Sequence, residues 1–304
     1  MLSRLPLSAA APTFSRIVYG TWRLLDEPEA AAPGPLSQRL QACVDLGVTT
    51  IDTAEIYGLY EVERVIGAAL AHDKGLRKKL EIVTKCGIYI PSAYHPERTV
   101  SFYNATAARL IKSTEKSLHL MGIDHIDLLL VHRPDWLTSA DDTAEGLNRL
   151  IKDGKIRSAG VSNYSVHQFE LLNARVEQPL VTNQIEFSLL HMDPIFDGTA
   201  DQCQRHRVHP MAWSPLAQGR LVGNDDAAAL RVQAVMTALA PTYNDATYDQ
   251  LAYAWIMAHP SQPLPIVGSN KVARVASAVA AASITLARED WYALWTAAQG
   301  RKIP

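Results

Sequence analysis

Several features that would assign a chain to a particular class are missing from this sequence. The 304 residues include only three cysteines, Cys43, Cys86 and Cys203, which are odd in number and far apart. They have no metal-ligand spacing and suit no disulfide framework, so we expect buried thiols, no metal site and a reducing, cytoplasmic setting. No window approaches the roughly 18 apolar residues that a transmembrane helix needs. Prolines interrupt the first 20 residues, so a signal peptide is the weaker alternative.

A strong charge imbalance is also absent. The 31 acidic and 29 basic residues give a formal net charge of -2, so the chain has no overall attraction for nucleic acid or an anionic membrane. Neither G-x-G-x-x-G after a strand nor G-x-x-x-x-G-K-[ST] occurs, which removes the Rossmann and P-loop sites. The composition that remains, 48% hydrophobic and 20% charged, is that of a globular protein with a substantial core. We expect a small-molecule partner.

Short β-branched segments alternate with longer segments of helical period along the chain. Helix candidates such as "LSQRLQACVDLG" and "TAARLIKSTEKSLHLMG" keep apolar residues on one face and end at a glycine. This order predicts an α/β protein, a single-domain (β/α)₈ TIM barrel over residues 1–304. The leader before Arg16 is predicted to form a short hairpin that closes the barrel bottom. The eight strand candidates are "RIVYG", "VTTID", "EIVTK", "HIDLLLVH", "IRSAGVS", "LVTNQ", "HPMAWS" and "PLPIVG".

Polar side chains stand at the ends of three successive predicted strands. Asp52 ends the second strand and Tyr57 lies in the loop after it, Lys85 ends the third strand, and His132 ends the fourth. In a TIM barrel the carboxyl ends of the strands form one mouth, where the chemistry takes place. We therefore expect these four side chains to converge.

The four residue types suit acid and base chemistry. A phenol titrates near pH 10, and a cation such as Lys85 would favour its ionised form. Asp52 would balance the charge of a partly buried Lys85, and a neutral His132 would orient a substrate oxygen. Taken singly, Asp52 can also cap a turn, Tyr57 can be a half-buried anchor and Lys85 can extend to solvent. Their joint placement favours the catalytic interpretation.

At these residues the sequence resembles the aldo-keto reductase superfamily, and bacterial members in particular. The resemblance covers nearly the whole chain. It implies hydride transfer from NADPH to the carbonyl carbon of an aldehyde or ketone, with Tyr57 as general acid, His132 orienting the carbonyl, Lys85 tuning Tyr57 and Asp52 holding Lys85. The motifs that carry it, in the order of the family, are "GTWRL", "IDTAEIYG", "VTKCG", "DLLLVHRPD", "GKIRSAGVSNYS", "TNQIEFSLL", "AWSPLAQGRL" and "PIVGSNKVARV".

The resemblance also implies an NADP(H) site. A Trp stands at position 213 where many members have Tyr, and any flat aromatic face can cover the nicotinamide ring. Gly268 stands where members often carry Lys, so the expected preference for NADPH over NADH rests on Ser269, Lys271 and Arg274. The expected cofactor-binding residues are Gly20, Thr21, Trp22, Asp52, Ser162, Asn163, Gln184, Trp213, Ser214, Pro215, Leu216, Gly219, Arg220, Gly268, Ser269, Asn270, Lys271 and Arg274.

Substrate residues are expected in the loops around the mouth, including a long insert after the third strand. Trp22 and Trp136 either form an aromatic wall around the carbonyl or pack the loops down, and the sequence leaves both open. The expected substrate residues are Trp22, Tyr57, Tyr89, Tyr94, His132 and Trp136.

Two rival functions stay open at this point. In a barrel lyase, Lys85 would form a Schiff base with a carbonyl substrate, which requires a lysine of lowered pKa. A noncatalytic subunit would bind NADPH as a redox sensor and act on a partner protein. We otherwise expect a small-molecule carbonyl substrate and a monomer or weak oligomer.

Overall fold

Eight parallel strands close into a barrel in the computed structural model of this protein, which describes residues 2–8, 11–93, 95–223 and 226–303. The described strands are β1 Arg4–Pro6, β2 Thr13–Ser15, β3 Val18–Gly20, β4 Thr50–Asp52, β5 Glu81–Cys86, β6 Ile88–Tyr89, β7 Phe102–Tyr103, β8 Leu128–Val131, β9 Ala159–Ser162, β10 Asn183–Glu186, β11 Met211–Trp213 and β12 Leu264–Val267. The order around the barrel is β3, β4, β5, β8, β9, β10, β11 and β12, and β12 pairs back onto β3. All eight predicted barrel strands are confirmed.

Helices surround the barrel, and several of them begin at a side-chain cap. Thr106 precedes α3 and accepts a hydrogen bond from the Arg109 N–H at 3.3 Å, while the helix ends at Gly122 with φ 63°. The described helices are α1 Pro33–Asp45, α2 Val62–His72, α3 Ala107–Met121, α4 Ala140–Lys152, α5 Val166–Asn173, α6 Asp193–Phe196, α7 Thr199–His206, α8 Ala227–Leu239, α9 Tyr248–Met257, α10 Val272–Ala281 and α11 Arg288–Gln299. Within the described residues, no helix is long and apolar enough to cross a bilayer.

Strand side chains alternate between the barrel interior and the surrounding helices. In β8, Leu128 and Leu130 belong to the apolar cluster inside the barrel, whereas Leu129 and Val131 pack outward against the helices. All four are fully buried because both faces of the sheet are covered. This alternation decides which strand-end residues can reach the mouth.

The predicted N-terminal hairpin is present and lies at the bottom of the barrel. Strands β1 and β2 pair antiparallel, with Leu5 opposite Phe14. Leu7 and Phe14 are fully buried and join the interior cluster with the first residues of several barrel strands, such as Leu128 and Met211. The hairpin therefore closes the end of the barrel opposite the mouth.

A second hairpin follows β5 at the mouth. Strands β6 and β7 pair antiparallel, with Ile88 opposite Tyr103 and Tyr89 opposite Phe102. The long insert that the sequence predicts there, residues 88–104, includes both strands of this hairpin. This hairpin and the loops after β3, β4 and β8 frame the site.

Candidate active site

Alternation along the strands directs three of the four predicted catalytic side chains into the barrel. Lys85 lies two residues beyond the inward-facing Val83, and His132 lies two residues beyond the inward-facing Leu130. Asp52 ends β4 beside them and is 3% exposed. The strand ends therefore deliver an acid, a cation and an imidazole to one buried spot, as the sequence predicts.

Lys85 is the centre of the cluster. Its fully buried Nζ donates to Asp52 Oδ2 at 2.7 Å, to the Thr53 carbonyl at 2.8 Å and to Tyr57 Oη at 3.1 Å. These three bonds use all the donors of an ammonium group. Because Lys85 donates to Tyr57 Oη, the hydroxyl hydrogen of Tyr57 remains available to donate to another acceptor.

Burial and charge set the protonation of this cluster. Burial raises the pKa of Tyr57 above its ordinary value, and the Lys85 cation opposes that effect only in part. Burial acts to lower the pKa of Lys85, but Asp52 and Tyr57 together outweigh it and the pKa is raised. Lys85 thus acts on the phenol in the predicted direction, yet burial dominates. At neutral pH the phenol holds its proton and the amine its charge.

His132 is held in the neutral form. Burial lowers its pKa well below the usual value, and the cations of Lys85 and Arg133 lower it further. Its ring centroid lies 6.1 Å from that of Tyr57, in an edge-to-face arrangement. Among the described residues, its buried Nδ1 has no hydrogen-bond partner. A neutral imidazole beside the phenol can orient a polar substrate atom.

The residues expected at the nicotinamide are linked in a chain to Asp52. Gln184 Nε2 donates to Asp52 Oδ1 at 2.8 Å, and Ser162 Oγ donates to the Gln184 carbonyl at 3.0 Å. Asn163 Nδ2 donates to Ser162 Oγ at 2.7 Å, and its Oδ1 accepts from Trp213 Nε1 at 3.0 Å. This series of hydrogen bonds fixes the orientation of the half-buried Trp213 ring. Asn163, which accepts the bond from Trp213, has a left-handed φ of 58°.

The end of β3 lies against Asp52 and Tyr57. Both the N–H and the hydroxyl of Thr21 donate to the Asp52 carbonyl at 3.0 Å. Gly20 has no room for a side chain, since a Cβ there would lie 2.6 Å from Ile266 Cγ2. Trp22 packs edge-on against the Tyr57 ring at 4.8 Å between centroids and is 60% exposed. Its exposed surface therefore faces the entrance to the site.

The segment expected at the pyrophosphate forms an irregular loop after β11. Ser214, Ala217, Gln218 and Gly219 all have positive φ, and such turns direct backbone N–H groups into concave anion-binding surfaces. Arg220 is already paired, because its Nε donates to Asp226 Oδ2 at 2.8 Å. The Asp226 Oδ1 atom in turn caps the first turn of α8. Pro215 is buried and Leu216 half-buried in the same loop.

The segment expected at the 2′-phosphate stands at the start of α10. Ser269 Oγ accepts from the Lys271 N–H at 3.2 Å, and exposed Lys271 and Arg274 have no ion-pair partner among the described residues. Asn270 is engaged, because it accepts from Arg39 Nη1 at 2.8 Å and donates to the Arg23 carbonyl at 2.8 Å. A Cβ at the exposed Gly268 would meet nothing within 4 Å, so the backbone is open at this point.

The expected substrate residues differ in their exposure and in the side chains that they contact. Trp136 is 78% exposed and tilts against Tyr103 of the β6–β7 hairpin at 5.6 Å between centroids. The Tyr89 ring stacks on Phe102 at 4.6 Å and is engaged within the hairpin. Tyr94 lies outside the described residues.

Three charged residues near the site, Arg133, Glu55 and Arg109, were not among the predicted site residues. Arg133 follows His132, and its guanidinium carbon lies 5.9 Å from the centroid of the Trp213 ring. Glu55, in the same short motif as Tyr57, binds Arg109 of α3 across 54 residues of sequence. In the sequence, Arg133 could have been noticed because it follows His132, and Glu55 because it lies in the same motif as Tyr57. No sequence feature indicates that Arg109 is the partner of Glu55.

Two histidines outside the site, His206 and His209, have structural partners. His206 Nε2 lies 2.7 Å from Glu170 Oε1, and His209 Nδ1 lies 3.0 Å from the Ser261 carbonyl oxygen. In the part of the chain that the structure describes, no three His, Cys, Asp or Glu side chains form a group able to hold a metal ion. The cysteines Cys43, Cys86 and Cys203 are buried, as predicted.

Known proteins resemble this chain in sequence and in fold. The chain is 42% identical to oxidoreductase YdhF of Escherichia coli over the full length of both chains, and 41% identical to the 6-dehydroglucose reductase of Agrobacterium fabrum over 95% of this chain and 96% of that one. An aldo-keto reductase of Klebsiella pneumoniae, solved in complex with NADPH, superposes with a TM-score of 0.76 at 27% identity, covering 97% of this chain and 94% of that one. The family model described as "Aldo/keto reductase family" matches residues 16–298. The chain belongs to the aldo-keto reductase family.

Proposed function

We propose that this protein is an NADPH-dependent oxidoreductase that reduces an aldehyde or ketone to an alcohol. The observation that carries the proposal is the arrangement of Lys85, whose three donors are used while Tyr57 keeps a proton directed away from it. A buried phenol with an adjacent cation can give up that proton when a substrate oxygen gains negative charge.

The side chains divide the work as follows. When bound, NADPH supplies the hydride that the carbonyl carbon accepts. Tyr57 donates its proton to the carbonyl oxygen, and the Lys85 cation stabilises the phenolate that is left. Asp52 keeps Lys85 charged and in place, and Gln184 holds the second oxygen of Asp52. Neutral His132 orients the carbonyl oxygen without competing for the proton.

The residues present fit the dinucleotide. Trp213, fixed through Asn163, offers a half-buried aromatic face for the nicotinamide, and the left-handed backbone around Gly219 offers N–H groups to the pyrophosphate. Lys271 and Arg274 at the start of α10, which have no ion-pair partner in the described part of the chain, suit the 2′-phosphate. Arg220 would have to leave Asp226 before it could bind phosphate, so we propose that the backbone carries most of that contact.

A sugar-derived aldehyde is the substrate class that we propose first. The relative from Agrobacterium fabrum is named 6-dehydroglucose reductase and is 41% identical over nearly the whole chain. Exposed Trp22 and Trp136 offer apolar faces of the kind that pack on sugar rings, and Arg133 has no ion-pair partner among the described residues, so it can donate to hydroxyl oxygens.

The Schiff-base alternative is disfavoured by the same geometry. A lysine that attacks a carbonyl needs a neutral amine, which requires a lowered pKa. The pKa of Lys85 is raised instead, because Asp52 and Tyr57 outweigh the effect of burial, and all three of its donors are engaged.

A titration followed by a turnover assay tests the proposal. NADPH and then NADH are added while tryptophan fluorescence is recorded, and NADPH oxidation is then followed with 6-dehydroglucose and with simple aldehydes and ketones. We expect NADPH to bind more tightly than NADH and to be oxidised. Binding without turnover would favour the redox-sensing alternative. No binding, together with borohydride trapping of a carbonyl substrate on Lys85, would replace the reductase by a lyase.

A further inference from the structure

The loop that carries Tyr57 has an unfavourable backbone. The three residues after Tyr57, namely Gly58, Leu59 and Tyr60, have φ values of 55°, 55° and 77°. L-residues with side chains rarely adopt this left-handed region, and consecutive examples persist only where surrounding contacts enforce them. The contacts that enforce this conformation therefore also decide where the phenol stands.

Glu55 fastens this loop to the strand that carries Lys85. The Glu55 N–H donates to the Lys85 carbonyl at 3.0 Å, and Glu55 Oε1 accepts from the Gly87 N–H at 3.0 Å. One residue thus binds the backbone on both sides of Cys86, the last residue of β5. Because Tyr57 lies two residues further on, these bonds fix its loop relative to Lys85.

The Glu55 carboxylate is buried and is balanced by Arg109 of α3. Arg109 Nη2 lies 2.8 Å from each carboxylate oxygen, and the two side chains are 10% and 6% exposed. Removing one partner of a buried pair leaves an uncompensated charge, so each residue depends on the other.

Arg109 extends the contact to the hairpin at the mouth. Its guanidinium carbon lies 4.0 Å from the centroid of the Tyr89 ring, in cation–π geometry. Tyr60, at the end of the strained turn, accepts from the Ile90 N–H at 3.0 Å. The Tyr57 loop is therefore tied to the β6–β7 hairpin at two separate points.

We propose that Glu55 and Arg109 are a pair of positioning residues that hold Tyr57 Oη within hydrogen-bonding distance of Lys85 and couple the Tyr57 loop to the β6–β7 hairpin. Neither residue touches the reacting atoms; both act through Tyr57. The inference rests on the proposed function for its kinetic consequences, whereas its geometric content does not depend on turnover.

The test uses the double variant Glu55→Gln/Arg109→Met, which leaves the net charge unchanged because it removes one charge of each sign. The protein is labelled with carbon-13 at tyrosine Cζ, and the Tyr57 signal is identified by its absence in Tyr57→Phe. Lys85→Met supplies the Tyr57 chemical shift expected when the contact with Lys85 is lost. Glu63→Gln is the matched control, since Glu63 is also a buried carboxylate but is bonded to Thr84 and Ser117 and not to the Tyr57 loop.

We expect the Tyr57 signal of the double variant to move toward its position in Lys85→Met, and that of Glu63→Gln to stay at the wild-type position. The turnover number should fall by about 10- to 100-fold with NADPH affinity unchanged, because small displacements of a catalytic group have effects of this size. The isotope effect with NADPH deuterated at the transferred hydrogen should rise as chemistry becomes slower.

An unmoved Tyr57 signal in the double variant would overturn the inference, and so would an equal movement in Glu63→Gln, which would indicate general loosening. Absence of turnover in the wild-type protein would instead contradict the proposed function, and the chemical shifts would still decide whether the pair positions Tyr57.

Discussion

The two ends of the barrel are built from the same strands and have opposite contents. At the bottom, Phe14 of the hairpin packs with Leu128 and other apolar residues that begin the strands. At the top, the strand ends carry Asp52, Lys85 and His132, which are buried as well. Burial of apolar side chains stabilises the fold, whereas burial of charged groups costs free energy unless each group finds its partners. Apolar contacts thus fill one end of the barrel interior, and bonded polar groups fill the other.

The difference shows why the buried cluster at the top is so fully bonded. Lys85 has three acceptors, and both oxygens of Asp52 accept hydrogen bonds. In a site of low dielectric constant, any unpaired charge would shift its pKa or destabilise the fold. Among the described residues of the cluster, the exceptions include the hydroxyl hydrogen of Tyr57 and the Nδ1 atom of His132, and both side chains take part in the proposed chemistry.

The largest effect is expected from a substitution at the top of the barrel that impairs turnover and leaves the apolar packing at the bottom unchanged. Tyr57→Phe should lower the turnover number by about 10² to 10⁴, because it removes the proposed general acid while keeping the ring. NADPH affinity and the free energy of unfolding should change little. Steady-state kinetics and fluorescence titration measure both quantities, and unchanged turnover would remove Tyr57 from the mechanism.

The reverse experiment weakens the apolar packing at the bottom of the barrel and leaves the polar cluster at the top unchanged. Phe14→Ala should lower the free energy of unfolding by about 3–5 kcal/mol, because Phe14 is fully buried among side chains that cannot refill the space. Turnover per folded molecule should stay at the wild-type value. Urea unfolding and active-site titration with NADPH measure the two effects, and a matching loss of turnover per site would show that the two ends are coupled.

A third prediction concerns a buried carboxylate on the outer side of β5, where Thr84 faces α2. Burial raises the pKa of Glu63 to about 7. Between its unfolded pKa near 4.5 and about 7, the folded state binds more protons than the unfolded state, so stability falls as the pH rises through this window. The total loss is on the order of 3 kcal/mol.

Glu63→Gln should remove this dependence and make the protein more stable than wild type at pH 8 but not at pH 4.5. Urea unfolding at both pH values is the measurement. Parallel pH profiles for the two proteins would mean that Glu63 ionises normally in the fold. The result sharpens the comparison, because Asp52 has an ion-pair partner in Lys85 and Glu63 has none within the described ranges.

The smallest expected effect lies at the rim of the mouth. Arg274→Ala should weaken NADPH binding by about 1.5–3 kcal/mol and hardly affect NADH, since only NADPH carries the 2′-phosphate. Arg288→Ala, an equal change of charge at the exposed start of α11, is the control. Equal losses for both cofactors would move the phosphate site elsewhere.

The hydrophobic periodicity and the turn and capping residues of the sequence were sufficient to predict the architecture. The eight strands, the hairpin at the bottom and the Gly122 helix end follow from local patterns, because side-chain alternation and turn chemistry depend on neighbouring residues. The convergence of Asp52, Tyr57 and Lys85 also follows, since strand ends in a barrel share one mouth.

Contacts between distant segments were not predictable in this way. Nothing near Asn270 in sequence indicates that Arg39 and the Arg23 carbonyl, 231 and 247 positions away, hold it. Such partners depend on how loops and helices of separate βα units meet. The motif suggested a cofactor-binding role for Asn270, and the fold gives it structural partners.

The sequence by itself determined which residue types stand at the strand ends, and therefore that an acid, a phenol, a cation and an imidazole meet in one place. Only the tertiary structure decided the protonation states of these groups and the distances between them. Burial raises the pKa of Tyr57 against the effect of Lys85, and the buried Glu55 carboxylate pairs with Arg109, a residue 54 positions away. The reason is physical: spacing sets which way a side chain points, whereas solvent exclusion and long-range partners arise only when the chain is packed.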